Sequence, residues 1–217
     1  MANVLDNVMR DAESVAANYT SQYLPAAVNE NTFPATAADM ANAGGILVDD
    51  YILPKTEGLK ISRDMKGLLD SIDVEIDMSE VCGITQARAN QGGYTTFVKS
   101  YDGIRTDGGT NFQAEVEHLR VAYEKVDGPY PTVEIPCTLL EDVQDPKSTL
   151  LFDAGADLGY TPSLTGFKEF RKFLKTLRKQ DTALLSSSLK VRLHHEKKTN
   201  ANNNEWGVIR FELLDAA

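Results

Sequence analysis

The segment SIDVEIDMSEV, which begins at residue 71, has the clearest alternation of apolar and charged residues in the chain. Ile72, Val74, Ile76 and Met78 occupy alternate positions, and Asp73, Glu75 and Asp77 stand between them. This period of two is typical of a β-strand with one buried face. Residues 46–54 (ILVDDYILP) and 94–101 (YTTFVKSY) are also predicted to form strands, because apolar, β-branched and aromatic residues dominate them.

Two later segments have the composition of extended chain. Residues 131–142 (PTVEIPCTLLED) contain two prolines, which favour the edge of a sheet or a bend. Residues 149–160 (TLLFDAGADLGY) predict a short strand followed by a glycine turn.

Three segments have apolar residues at helical spacing. Residues 1–24 repeat apolar side chains every three or four positions, and Pro25 ends the pattern. A second helix should begin at Thr110, which forms a capping box with Gln113, and end near Gly128. The third helix lies in TGFKEFRKFLKTLRKQ (165–180), where phenylalanines and leucines form one stripe and lysines and arginines cover the opposite face.

This order of elements predicts an α+β fold with a mainly antiparallel sheet and inserted helices. A small open barrel of the oligonucleotide-binding (OB-like) kind is one arrangement compatible with it. Residues 1–45 contain few large apolar residues and are interpreted as a helical N-terminal extension. Residues 46–217 are interpreted as the α+β core domain, which ends in a basic helix and a β-hairpin.

The predicted hairpin covers residues 189–214 (LKVRLHHEKKTNANNNEWGVIRFELL). Matching its two apolar faces places Val191 opposite Phe211 and Arg192 opposite Arg210. A like-charge cross-strand pair is destabilising by itself, so it suggests that an anion lies between the two arginines. The polar segment KKTNANNNE would form a mobile loop at the hairpin tip.

Charge is unevenly distributed along the 217 residues, whose net charge is −10. Residues 1–159 contain 11 Lys/Arg and 26 Asp/Glu, a balance of −15, whereas residues 160–211 contain 11 Lys/Arg and 4 Asp/Glu, a balance of +7. The negative total argues against a general binder of duplex DNA, which must neutralise many phosphates. The late cluster of cations indicates a localised anionic partner.

These patterns lead to the prediction of a non-catalytic protein that binds single-stranded nucleic acid, with DNA favoured. Cations would follow the phosphates, and the single tryptophan would stack on a base. The predicted contact residues are Lys190, Arg192 and Arg210 for phosphates, Trp206 for stacking, Lys197 and Lys198 as a clamp, and Lys168, Arg171, Lys172 and Lys175 as an extension of the track. An acidic small protein with a late basic and aromatic hairpin is similar in outline to small DNA-binding proteins of phage replication modules, although no motif assigns a family.

Alternative interpretations accompany this prediction. The cations can be solvated or paired with the protein's own acids, and Trp206 can cover the end of the core. The chain would then be a structural or assembly protein, such as a virion component, that forms a homo-oligomer through oppositely charged regions.

Other chemistry finds little support in the sequence. Asp73, Glu75 and Asp77 suit a solvated strand face better than a cation site, and His194 and His195 would point in opposite directions. His118 is expected to pair with a nearby glutamate. Phosphate-binding loops, zinc-binding and nucleophile-elbow motifs are missing from the sequence, so no enzyme activity, cofactor or metal is predicted.

Two cysteines, Cys82 and Cys137, are expected to be free thiols, although a bridge between them is compatible with the sequence. The sequence has neither a signal-peptide pattern nor a run of about 18 apolar residues, which predicts a cytoplasmic protein without a membrane partner.

Overall fold

In a computed structural model of the chain, residues 48–91, 94–106 and 108–216 are described, and they form twelve strands, two α-helices and one 3₁₀ helix. The strands are β1 (Asp50–Tyr51), β2 (Leu53–Lys55), β3 (Gly58–Lys60), β4 (Ser71–Asp77), β5 (Cys82–Gln91), β6 (Tyr94–Ser100), β7 (Val126–Leu139), β8 (Val143–Gln144), β9 (Leu151–Phe152), β10 (Asp157–Tyr160), β11 (Ser188–Thr199) and β12 (Glu205–Ala216). The helices are α1 (Phe112–Ala122), α2 (Leu164–Gln180) and the 3₁₀ helix Thr182–Ser186. The helical extension predicted for residues 1–45 lies outside the described residues.

Most of the strands join one open sheet. Its order is β1-β10-β7-β4-β11-β12, with β5 attached to β7 and β6 attached to β5. The β1–β10 pair is parallel and the other pairs among the described strands are antiparallel. The α+β class and the mainly antiparallel sheet are therefore confirmed. The described strands do not close into a barrel, so the OB-like arrangement is not confirmed.

Strand β7 lies within the sheet and not at its edge, which is one of the two positions, an edge or a bend, that its prolines predicted. It pairs with β5 along residues 126–134 and with β10 along residues 135–138, while β4 joins it only at Thr138 and Leu139. Pro131 and Pro136 thus lie where β7 has one neighbouring strand among the described residues. Proline has no N–H to donate to a second neighbouring strand, so a sheet tolerates it where only one neighbour is present, as at an edge.

The main core lies between one face of the sheet and α2. Ile72, Val74 and Ile76 of β4 are buried, as the alternating sequence predicts, whereas the acids between them are partly exposed. From α2, Phe170 and Phe173 enter the same cluster of buried apolar residues. Because both elements bury their apolar face in one cluster, α2 lies on the side of the sheet to which the β4 isoleucines point.

A second, smaller core joins α1 to the β5–β6 ribbon, a pairing that the sequence interpretation missed because it assigned no strand to residues 82–91. Phe112, Val116 and Leu119 of α1 pack against alanines of β5. The helix begins after Asn111, whose side chain accepts a hydrogen bond of 3.0 Å from the Ala114 N–H, instead of after Thr110. It also ends earlier than predicted, because residues from 126 onward belong to β7.

A buried carboxylate connects several elements near β7. The Glu134 side chain is 0% exposed, and its Oε1 lies 2.5 Å from Lys99 Nζ, 3.0 Å from the Tyr51 hydroxyl and 3.3 Å from the Thr161 hydroxyl. The Tyr101 hydroxyl donates to its other oxygen. Burial raises the pKa of Glu134, but Lys99 and these hydrogen bonds outweigh it and hold the pKa below its ordinary value. The ion pair joins β6 to β7, and the hydrogen bonds from Tyr51 and Thr161 connect it to the ends of β1 and β10.

The β2–β3 hairpin packs closely on β12 at Gly207. A Cβ at Gly207 would collide with the Lys55 carbonyl group, which also accepts a hydrogen bond of 2.9 Å from His195 Nε2. We expect Gly207→Ala to lower the free energy of unfolding by about 1–3 kcal/mol, because backbone atoms have to move. The matched control is Gly83→Ala in β5, where no atom lies within 4 Å of the new Cβ.

Gly83→Ala should leave stability unchanged or raise it by about 0.5–1 kcal/mol, because alanine loses less backbone entropy on folding than glycine does. Urea denaturation of the two variants provides the measurement. Equal losses of stability would contradict the close approach of β2–β3 to β12.

Candidate anion-binding surface

The register of the β11–β12 hairpin differs from the predicted one by two residues. Arg192 lies opposite Glu212, and Leu193, instead of Val191, lies opposite Phe211. The predicted Arg192–Arg210 pair was therefore wrong, and with it the inference that an anion lies between these arginines.

The hairpin tip and a bulge explain this register. β11 continues to Thr199, so the loop contains only residues 200–204 instead of the nine predicted. The Asn200 side chain accepts hydrogen bonds of 2.9 and 3.0 Å from the N–H groups of Asn202 and Asn204, which closes a tight turn. Near the other end, Lys190 pairs with Asp215 and Val191 with Leu213, which leaves one extra residue in β12.

The basic strand β11 lies directly beside the acidic strand β4. Arg192 and Asp73 are partners in the ladder, and two hydrogen bonds of 2.6 Å join the guanidinium to both carboxylate oxygens. The hydrogen bonds from Arg192 hold the pKa of Asp73 below its ordinary value, and the same carboxylate raises the pKa of Arg192. Lys190 lies opposite Glu75 in this ladder and is exposed. The acidic face of β4, which the sequence assigns to solvent, is thus partly neutralised by the cations of β11.

The two lysines predicted to clamp a nucleic-acid strand are engaged by carboxylates. Lys197 Nζ lies 2.8 Å from Glu57 and 2.8 Å from Glu205. Lys198 Nζ lies 2.7 Å from Glu196 and 3.6 Å from a glutamate of α2, Glu169. The hydrogen bonds that Lys197 donates to Glu205 and Lys198 donates to Glu196 raise the pKa values of the two lysines. Both lysines belong to β11, and not to the loop.

The remaining predicted residues of the hairpin are less enclosed. Arg210 lies 3.6 Å from Glu196, and its side chain is 66% exposed. Trp206 is half-buried and lies opposite Lys198 in the ladder. Val208, next to Gly207 on the same strand, is buried. The adjacent histidines have separate partners, since His194 Nε2 lies 2.6 Å from Glu212 and His195 bonds the Lys55 carbonyl.

Helix α2 presents the most open group of cations. As predicted, its phenylalanines face the core and its six lysines and arginines are exposed. Lys172 Nζ lies 2.9 Å from Glu169, and the Arg171 guanidinium lies 6.0 Å from the Phe167 ring. The cations of α2 that form no ion pair with the described residues are Lys168, Lys175, Arg178 and Lys179. We call the exposed side of α2 that carries these residues the basic face.

An acid-lined groove of about 400 Å³ opens near the carboxyl end of β4. Its carboxylates belong to Glu75, Asp77, Glu80 and Asp157, and its other lining residues are Val48, Pro136, Cys137, Thr138 and Ser188. None of the four carboxylates forms an ion pair within the described part of the chain. Three of them, Glu75, Asp77 and Asp157, accept hydrogen bonds from hydroxyl groups instead. The hydrogen bonds from Ser79 hold the pKa of Asp77 below its ordinary value. We call this feature the acidic groove.

The cysteines are both free, as expected: Cys82 is half-buried and Cys137 is buried. Burial raises the pKa of Cys137 to about 12, so its thiol is protonated at neutral pH. Among the described residues, no three His, Cys, Asp or Glu side chains are grouped so that they could hold a metal ion. No helix within the described ranges is long and apolar enough to cross a membrane.

Comparisons of the chain with known protein families, curated proteins and solved structures find no match. The assignment of nucleic-acid contacts to individual residues stays a prediction. The geometry separates the predicted contact residues into two groups. The hairpin cations are largely ion-paired within the molecule, whereas the cations of the basic face largely are not.

The pairing of Asp73 with Arg192 leads to a pH-dependent prediction. Because the folded-state pKa of Asp73 is lowered, its stabilising effect is present above the unfolded-state pKa, about 3.9, and is lost as the pH falls through the folded-state value. We expect Asp73→Asn to lower the urea midpoint at pH 7, and the difference from the wild type to shrink in acid.

The matched control is Asp153→Asn, which removes an exposed carboxylate. It should change the urea midpoint little at either pH. Equal effects of the two substitutions, or an Asp73→Asn deficit that persists in acid, would contradict the proposed role of the pair.

Proposed function

We propose that this chain is a non-enzymatic structural protein that self-associates through surfaces of opposite charge. One observation carries the proposal: the cations of the β11–β12 hairpin are largely neutralised within the molecule, whereas the basic face and the acidic groove form no comparable pairs among the described residues. The surfaces that are still available to a partner therefore carry opposite charges.

The distribution of charge favours a second copy over duplex nucleic acid as that partner. Helix α2 carries six cations and one glutamate, a balance of +5, so the rest of the chain carries −15 of the total of −10. A second copy thus offers a large excess of acids to the basic face. A nucleic acid and a second copy, whose net charge is −10, would both be repelled at long range, so attraction depends on local contacts with the basic face. Only the second copy also offers cations to the acidic groove. We place such a homo-oligomer in the cytoplasm, or in the host cytoplasm if the protein is viral.

A second candidate function is the binding of single-stranded nucleic acid along α2. It is favoured by the contact between Lys198 and Glu169, which brings the hairpin beside the helix, and by Trp206, which lies opposite Lys198 and is partly exposed. A base stacked on the indole would contribute about 1–3 kcal/mol. Such binding uses a helix and a strand end, and it does not require an OB-like barrel.

Sedimentation velocity at low and high salt tests the first proposal. We expect the wild type to form oligomers at low salt that dissociate at high salt, because screening weakens attraction between exposed charges. The triple variant Lys168→Glu/Lys175→Glu/Lys179→Glu should stay monomeric. The matched control reverses three exposed lysines elsewhere, in Lys66→Glu/Lys125→Glu/Lys147→Glu, and should assemble as the wild type does.

Anisotropy of a labelled oligonucleotide, measured on the same three proteins, separates the two candidates. Salt-sensitive binding that requires the lysines of the basic face, shown by a monomeric wild type, would replace the assembly proposal with the second candidate. A wild type that neither self-associates nor binds the oligonucleotide at low salt would overturn both.

A further inference from the structure

The basic face is unsuited to a contact with its own counterpart. A two-fold dimer whose axis passes through the basic face would place this face against an identical row of cations. The one acid among the charged residues of α2, Glu169, is already engaged by Lys172 and Lys198. Self-association through this face therefore requires a different, acidic surface on the second copy.

The acidic groove lies on the opposite side of the sheet from α2. Along β4, Val74 and Ile76 point into the core that α2 covers, so Glu75 and Asp77 point to the other side. Across the neighbouring strands, Glu75 pairs with Thr138 and Thr138 with Asp157, which continues the same acidic side. Because the sheet separates the two surfaces, the basic face of one copy cannot occupy the acidic groove of that copy.

The chemistry of the groove suits a row of lysines. Its lining includes Val48, Pro136 and carboxylates, so an aliphatic lysine stem can lie on apolar atoms while its ammonium group meets an acid. Lys168, Lys175 and Lys179 occur at intervals of seven and four residues on α2 and extend over roughly 16 Å of helix at 1.5 Å per residue. A row of this length presents three ammonium groups to the carboxylates of the groove.

We propose that the basic face of one copy docks in the acidic groove of the next, which makes the assembly head to tail. This inference rests on the proposed function and specifies its partner surface. A head-to-tail contact uses two different patches on each copy, so every added copy presents a new free groove or a new free helix. A two-fold dimer would have to bring both surfaces of each copy against the same partner, which their placement on opposite sides of the sheet disfavours. The expected products are closed rings or open filaments.

Charge exchange between the two surfaces tests the proposal. The groove is reversed in Glu75→Lys/Glu80→Lys/Asp157→Lys, and the basic face is reversed in Lys168→Glu/Lys175→Glu/Lys179→Glu. We expect each variant alone to associate at least about tenfold more weakly than the wild type. A mixture of the two should regain assembly, since an acidic helix meets a basic groove and a basic helix meets an acidic groove.

A single chain that carries all six substitutions has the wild-type net charge and should also regain assembly. Circular dichroism and thermal melting establish that each variant is folded. Should the lysine groove disturb the fold, the neutral variant Glu75→Gln/Glu80→Gln/Asp157→Asn replaces it and should weaken assembly in the same direction.

The outcomes separate this inference from the function on which it rests. A wild type that never self-associates overturns the proposed function. Assembly that is lost with the reversed basic face but is kept when the groove is reversed overturns the groove as the acceptor and leaves self-association in place. Recovery of assembly only when the two reversals are combined supports the head-to-tail contact.

Discussion

The pairing of β4 with β11 determines which charged side chains at the surface are paired within the molecule. It places Asp73 against Arg192, with both carboxylate oxygens bonded to the guanidinium at 2.6 Å. The acids of one strand and the cations of the other are far apart in sequence, and each group alone resembles a site for an external ion. Their adjacency in the sheet makes them partners of each other. A charge-assisted, bidentate arginine–carboxylate pair is among the stronger hydrogen-bonded contacts at a protein surface.

This neutralisation changes which part of the molecule is available to a partner. Lys197 and Lys198 extend the same pattern along β11, because glutamates from the β2–β3 hairpin, from β11 itself, from α2 and from β12 surround them. Among the described residues, the basic face of α2 is left as the main open cationic surface, and the acidic groove lies across the sheet from it. A molecule with opposite charges on two sides is suited to join its own copies.

Local patterns predict much of this fold. The alternation around Val74 and the phenylalanine stripe of α2 correctly identify a strand, a helix and their buried faces, because burial of one face imposes the period on the sequence. The hairpin register depends on a five-residue turn and a bulge, and the central position of β7 depends on which strands flank it. Neither feature is local. The Glu134–Lys99 pair is invisible for the same reason, since its partners are distant in sequence and meet only in the folded sheet.

Lysine acylation measured by mass spectrometry tests the internal neutralisation most directly. With dilute protein, which stays monomeric, and a limiting amine-reactive reagent, the rates at single lysines report how much free amine each one presents. Because carboxylates raise the pKa values of Lys197 and Lys198, these two residues should react more slowly than Lys168, Lys175 and Lys179. Equal or faster reaction at Lys197 and Lys198 would contradict the account, because the hairpin would then be as open to an anionic partner as the helix.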